Sequence, residues 1–354
     1  MEERSKTKAR KLEHLLLFKN RYIETQARKR TTLLECVELP HNAAPELSID
    51  EISLETEFAG FKLSAPFMIT GMTGGAEEAK EINLALARVA QKRGIAFGLG
   101  SQRAMIENPE LTHTYNVREA APQVFVAGNI GAVQAARYPV KKVEQALEAI
   151  GANALCVHLN PAQELAQPEG DRDFRGGFEG IEKLIKGIGV PVIVKETGGG
   201  ISYETASRLR ELGVKHIDVS GVGGTSWVGV ELLRARSNPT ALQELWDWGL
   251  PTALSVCEAA KAGAEVVASG GIRNSLDAAR AISLGAKIAG FAAPILKAYY
   301  EEGEHGVDRF VRDMIEGLKA ILLLCGCSSL DKLRNSPRVI KGELAERLNG
   351  LNLR

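Results

Sequence analysis

Eight short apolar runs, separated by longer stretches of helical pattern, constrain the fold of this chain more than any other feature. The runs are Phe67–Thr70, Gly94–Gly98, Gln123–Ala127, Ala154–His158, Pro191–Lys195, His216–Ser220, Glu265–Ser269 and Ile288–Ala292. They are continuously apolar rather than alternating, as in parallel strands covered on both faces. Helical patterns lie between them at Ala76–Arg93, Leu111–Ala120, Val140–Ile150, Gly177–Ile188, Tyr203–Leu212, Thr252–Ala262 and Ser275–Leu284. This alternation predicts the α/β class, a single (β/α)8 TIM barrel rather than an open doubly wound sheet. A dinucleotide-binding open sheet needs Gly-x-Gly-x-x-Gly after its first strand, and Thr70-Gly71-Met72-Thr73-Gly74-Gly75 has the wrong spacing.

The 354 residues exceed the ~250 of a typical barrel. We expect one domain over 1–354: an N-terminal arm at 1–50, the barrel at 51–300 and C-terminal helices at 301–354. The arm carries Lys8-Ala9-Arg10-Lys11 and Arg28-Lys29-Arg30, with Leu12, Leu15, Leu16 and Lys19 between them at helical spacing. A short amphipathic helix on a polar arm fits that pattern, although composition alone favours a solvated tail. Gly221–Gly249, after the sixth run, reads as an active-site insertion, and Asp308–Leu324 reads as a closing helix.

Lys plus Arg and Asp plus Glu both total 44, and this neutral balance argues against nonspecific nucleic-acid binding. No apolar run reaches the ~20 residues of a membrane span, and the polar start Met1–Lys6 lacks a signal core. The five cysteines, Cys36, Cys156, Cys257, Cys325 and Cys327, show no disulfide framework, and Cys325-Gly326-Cys327 is too close-set for a usual zinc pair. A reducing cytoplasm, with no membrane and no nucleic-acid partner, is the expected setting.

In such a barrel the chemistry sits at the C-terminal strand ends. Ser269-Gly270-Gly271-Ile272-Arg273 and Phe291-Ala292-Ala293-Pro294 end the last two strands, where a phosphate cup forms in this fold. Glycine allows close backbone approach to the anion, and N–H groups at the next helix start face it. The same rim carries Arg103, His158, Asn160, Gln163, Glu164 and Lys195, which points to a site for a phosphorylated ligand. Lys195 suits a ring that becomes anionic, or a carboxylate at the core edge. Glu164 is a hard oxygen ligand for Mg²⁺ shared with phosphate oxygens, or a cap or ion-pair partner. Ser101-Gln102-Arg103 offers hydroxyl, amide and guanidinium donors to an anion, or forms a turn. There is no Gly-x-Ser-x-Gly, His-Glu-x-x-His or P-loop pattern.

These residues resemble the type 2, FMN-dependent isopentenyl-diphosphate delta-isomerases in an archaeal-like form. The shared motifs, in family order, are Arg10-Lys11-Leu12-Glu13-His14, Thr70–Gly75, Gly100–Arg103, His158–Glu164, Val194-Lys195-Glu196, Ser220–Trp227 and Ala268–Arg273. The resemblance implies isomerisation of isopentenyl diphosphate to dimethylallyl diphosphate by a 1,3-allylic proton shift, with reduced FMN as the acid and base and NADPH as reductant. It implies that FMN is held by Thr70, Gly71, Met72, Thr73, Ser101, Asn129, Lys195, Ser220 and Thr225. The FMN phosphate is then held by Gly271, Ile272, Arg273, Ala292 and Ala293. It implies that Arg10, Lys11, Ser101, Gln102, Arg103 and Gln163 meet the substrate diphosphate, with Mg²⁺ on Glu164 and the arm as a lid. Lys195, His158, Asn160 and Gln163 are the implied catalytic set, His158 and Asn160 beside the allyl group, and a homotetramer is the family's common assembly.

Three alternatives share the phosphate cup. An FMN-dependent oxidoreductase of the hydroxy-acid oxidase type should show a histidine after strand six, and Ser220–Trp227 contains none. An inosine-phosphate-type dehydrogenase should show a cysteine nucleophile there, yet no cysteine lies between Cys156 and Cys257. A non-catalytic flavin-binding protein would lack the diphosphate set that Arg10, Lys11, Arg103, Gln163 and Glu164 supply.

Overall fold

The computed structural model describes Glu13, residues 30–234 and residues 240–351; the expected contacts of Arg10 and Lys11 lie outside the described residues. Eight parallel strands close into a barrel: β1 (Phe67–Ile69), β2 (Ala96–Gly98), β3 (Val126–Gly131), β4 (Ala154–His158), β5 (Val192–Lys195), β6 (His216–Asp218), β7 (Glu265–Ala268) and β8 (Ala286–Phe291). β8 pairs with β1, for example Ala289 with Phe67, and completes the ring. Alternate residues of each strand face inward. Met68, Ala96, Ala127, Cys156, Ile193, Val267 and Ile288 fill the barrel, while Phe67, Ile69, Phe97, Val126, Val157 and Val194 pack outward against the helices.

The N-terminal mouth is plugged. Thr56–Phe58 and Phe61–Leu63 form an antiparallel hairpin whose Phe58 lies edge-on to His216 at 5.0 Å and to Phe125 at 6.3 Å between ring centroids. Burying three aromatic rings there removes water from the bottom of the barrel and leaves the C-terminal mouth as its open end.

Several boundaries differ from the expected ones. The third strand runs over Val126–Gly131, not Gln123–Ala127. Gly128, Asn129 and Gly131 hid its continuation, because glycine and asparagine are depleted from strands. Leu111–Ala120 is not a helix; Pro109–Thr114 forms a 3-10 turn instead. There Thr112 and Thr114 return their hydroxyls to nearby carbonyls, a local alternative to helix propagation. The closing helix starts earlier, at Ala293, and is broken by non-helical backbone at Glu302 and Gly303. Further along, Val339–Ile340 pairs antiparallel with Val37–Glu38. Leu34 and Val37 in turn are completely buried in the core. No helix among the described residues is long and apolar enough to cross a membrane.

The helix Glu77–Arg93 starts with Glu77 and Glu78 and ends with Lys92 and Arg93, charges that suit its dipole. Arg93 grips Asp308 through two bonds of 2.6 and 2.8 Å, and Lys92 adds a third at 2.8 Å. The Arg93 bonds, joined by those from Lys92, hold the Asp308 carboxyl down to about 2, against an ordinary 3.8. A depressed carboxyl stabilises the fold fully above its unfolded value, and that contribution disappears as pH falls through the folded one. Asp308→Asn is expected to cost roughly 1 kcal/mol, a few degrees in Tm, at pH 7. The gap to the wild type should close in melting curves taken from pH 4 down to pH 2; a gap independent of pH would remove the ion pair as its cause.

Candidate active site

The inward positions at the C-terminal ends turn from apolar to polar. Lys195 follows Ile193, Asp218 precedes the mouth on β6, and their backbones are register partners. Lys195 is buried and its Nζ donates to the Glu196 carbonyl at 2.5 Å. Asp218 accepts from Ser269 Oγ at 2.5 Å. Burial pushes the Asp218 carboxyl above its ordinary range, against the opposing pull of Lys195. Lys195 and Asp218 thus stand side by side at the floor of the mouth. Glu196 caps the loop beyond β5: its Oε2 accepts from Thr197 and Gly198 N–H at 2.6 Å each, and also from Gly199. Burial still raises its carboxyl to about 7, with those N–H groups pulling the other way.

Above this floor lies a cavity of ≈ 830 Å³ that joins a smaller chamber of ≈ 90 Å³ through shared walls at Thr70, Ser220, Thr225 and Trp227. Gly71, Met72, Thr73 and Lys195 line the chamber. Gly271, Ile272 and Arg273 line the outer cavity, and Ala292 and Ala293 line both. Ser220 takes a left-handed φ of 38° there, a strained value for serine that the surrounding loop must hold in place. The β7 loop is drawn against the β6 loop. A Cβ on Gly224 would sit 2.5 Å from Gly271 N, and one on Gly271 would sit 2.7 Å from Gly223 O. Thr252 Oγ1 donates to Gly270 O at 2.5 Å and Arg273 to Gly223 O at 3.1 Å, which fixes the two loops together. The helix beginning at Ala293 has no side-chain cap, which leaves its positive end to the cavity. Glycine backbone, a free helix start and Arg273 form a cradle for a phosphate monoester. The chamber beside Lys195 suits a planar ring.

A second polar group stands beyond β4. Asn160 Nδ2 reaches Glu164 Oε1 at 2.9 Å and Gln163 Oε1 at 3.3 Å. Glu164 Oε2 accepts the Asp171 N–H at 2.7 Å. No cluster of three His, Cys, Asp or Glu that could hold a metal occurs among the described residues. A lone carboxylate beside two amide oxygens fits Mg²⁺ only when phosphate oxygens complete the shell. Arg103 donates to Glu107 at 2.8 Å. Ser101 is half-buried, its carbonyl accepting from Tyr115 Oη at 2.8 Å. Gln102 is wholly buried beneath the mouth, with Nε2 lacking a partner among the described residues. Asn129 is also buried, and His158, at the end of β4, is partly exposed.

Sequence reasoning missed the roles of Asp218, Glu196 and Glu231. Glu231 is completely buried, takes Gln163 Nε2 at 3.3 Å and is matched by Arg234 at 2.8 Å. Arg234 also reaches Glu169 at 2.6 Å and Glu13 at 3.6 Å. A charged residue inside an otherwise apolar run, as at Asp218, was the available signal. Nothing in the pattern of Trp227–Arg234 marked Glu231 as buried.

Comparison with known proteins adds three findings. A family model described as FMN-dependent dehydrogenase matches residues 160–340. Proteins named isopentenyl-diphosphate delta-isomerase are similar throughout: that of Aeropyrum pernix is 45% identical, covering 96% of this chain and 92% of its own. That of Methanothermobacter thermautotrophicus is 46% identical over 96% of this chain and 95% of its own. Among solved structures, a flavocytochrome b2 variant superposes with a TM-score of 0.69 at 20% identity, covering 95% of this chain and 84% of its own. A mandelate oxidase with (S)-2-phenylpropionate gives 0.63 at 19% identity over 88% of each chain. At such identities the two structures bear on the fold alone.

Proposed function

This chain belongs to the isopentenyl-diphosphate delta-isomerases, within the FMN-dependent dehydrogenase family, and from that membership we propose that it converts isopentenyl diphosphate to dimethylallyl diphosphate with bound FMN. One observation carries the reading: a single barrel mouth holds a cradle suited to one phosphate and, apart from it, a carboxylate–amide cluster suited to a cation. The cradle at Gly271, Arg273 and Ala293 suits one phosphate. The Asn160, Gln163 and Glu164 cluster lies across the mouth and suits a metal-bridged diphosphate. A hydroxy-acid oxidase, whose substrate is a simple carboxylate, has no use for a metal-bridged diphosphate site.

The reaction adds a proton at one carbon of an alkene and removes one from another, with no net redox change. Reduced FMN, once bound, supplies that acid–base chemistry, and NADPH is the reductant we propose for it. The chain's own residues do the rest. Lys195 holds a positive charge against the ring site, an electrostatic contribution made without reorganisation. Thr70, Gly71, Met72, Thr73, Ser220 and Thr225 shape the ring chamber. Ser101 and Asn129 complete that set by resemblance. Arg103 and Gln163 orient the diphosphate, with Arg10 and Lys11 of the arm, and Glu164 takes Mg²⁺. Trp227 and Met72 exclude water from the chamber, which raises the effect of every charge in it. We further propose a cytoplasmic homotetramer.

An anaerobic assay tests this reading: isopentenyl diphosphate, FMN, Mg²⁺ and NADPH, with dimethylallyl diphosphate followed by mass-resolved chromatography after dephosphorylation. Product that needs reduced flavin without stoichiometric NADPH use supports the isomerase. Absence of product with a bound, reducible flavin favours an FMN oxidoreductase. Glu164→Gln is expected to abolish Mg²⁺-dependent turnover while FMN stays bound, as read from flavin absorbance after gel filtration. Retained turnover removes the metal role of Glu164.

A further inference from the structure

We propose that Asn129 is a positioning residue that fixes His158 as its neutral Nδ1–H tautomer, leaving Nε2 as a bare acceptor for a ligand. The Leu99 carbonyl is an acceptor whose role cannot be inverted. One terminal atom of the Asn129 amide lies 3.1 Å from the Leu99 carbonyl oxygen. A carbonyl only accepts, so that atom is Nδ2, and the usual ambiguity of an amide's two ends is removed. Oδ1 therefore faces His158 Nδ1, at 2.7 Å. Only a protonated Nδ1 satisfies an amide oxygen at that distance.

The amide has little freedom to turn away. Asn129 is buried within β3. Gln102 N–H donates to Asn129 O at 2.7 Å, and Asn129 N–H donates to Gln102 Oε1 at 3.2 Å. Gln102 thus reads as a brace on the Asn129 backbone. No hydrogen bond to His158 Nε2 forms among the described residues; the Gln134 side-chain amide stands near it, Gln134 Oε1 and His158 Nε2 lying 2.3 and 3.1 Å from where a Cβ on Gly131 would sit. A neutral ring fits its surroundings. Although His158 is partly exposed, loss of water around its ring, with the Lys195 charge on β5, pushes the imidazole below its usual range, to about 3. The other neighbour in the sheet, β3, presents the uncharged Asn129, and Cys156 precedes His158 on β4.

The consequence rests on the isomerase reading: in the resting enzyme His158 accepts a hydrogen bond and orients a ligand, and does not serve as the proton donor. The tautomer itself does not depend on that reading. The test is nitrogen NMR on the FMN-loaded protein with ¹⁵N-labelled histidine, His158 being assigned by the signal lost in His158→Gln. The expected spectrum from pH 6 to pH 8 has a protonated Nδ1 and a pyridine-type Nε2 that does not titrate. A protonated Nε2, or a charged ring, in the wild type overturns the proposal. Asn129→Asp replaces the amide with a carboxylate, which should raise the His158 pKa into the observed range and shift the acid limb of kcat/KM with it. An unchanged His158 signal in Asn129→Asp would also overturn it. Wild-type protein with the expected tautomer but no isomerase turnover would sink the function and leave the tautomer standing.

Discussion

Replacing Lys195 with alanine is expected to lower kcat by roughly 10²–10³ while FMN remains bound. Lys195 stands at the inward end of β5, is only 8% exposed, and lies in the register row that also holds His158 and Asp218. Its ammonium is the one cation this row places inside the barrel beside the ring chamber. Removing it takes away a charge held in place before reaction, where little water can substitute for it. Asp218 then loses the neighbour that opposes its burial, and its carboxyl should rise further. Two readouts separate electrostatics from general damage. The midpoint potential of bound FMN should fall, because a reduced anion loses its counter-charge. Lys195→Arg should recover part of the potential but less of the rate, since a planar fork does not replace a point charge. A kcat within about threefold of wild type, with FMN loaded, would place catalysis elsewhere.

The barrel was legible because parallel strands buried on both faces leave uninterrupted apolar runs, and each of the eight expected runs overlaps a barrel strand. What failed was local. β3 carries Gly128, Asn129 and Gly131, residues that cost a strand propensity yet pair in register with Leu155, Cys156 and His158. Tertiary pairing outweighed propensity there. The stretch around Leu111 had helical spacing but also Pro109, Thr112 and Thr114, whose side-chain bonds close a 3-10 turn. The pairing of Val37–Glu38 with Val339–Ile340 brings together two distant parts of the sequence. Two-residue strands carry no periodicity, and no sequence rule finds them. At the site, residues on strand ends were readable from position alone. Partnerships were not: Asn129 with His158, or Gln163 with Glu231, joins residues 29 and 68 positions apart. Such contacts follow from barrel closure and leave no local trace.

Gly271→Ala should weaken FMN binding by roughly 10- to 100-fold. Gly271 has φ +83°, where any other L-residue pays about 1–2 kcal/mol. The added Cβ would also lie 2.7 Å from Gly223 O and 2.5 Å from Thr32 Cγ2. Backbone cannot yield as a side chain does, so the β6 and β7 loops must separate and the cradle must open. Gly224→Ala approaches the same cup from the other side, its Cβ 2.5 Å from Gly271 N, and should cost a similar factor without a φ penalty of its own. Gly189→Ala, with nothing within 4 Å of its Cβ, is the control for an added methyl. Flavin fluorescence titrations with FMN and with riboflavin locate the loss. If the cradle holds the phosphate, Gly271→Ala should sharply reduce the advantage of FMN over riboflavin and leave riboflavin affinity nearly unchanged. Equal losses for both flavins would instead mean a general collapse of the mouth, and an undiminished preference for FMN would move the phosphate site away from β7 and β8.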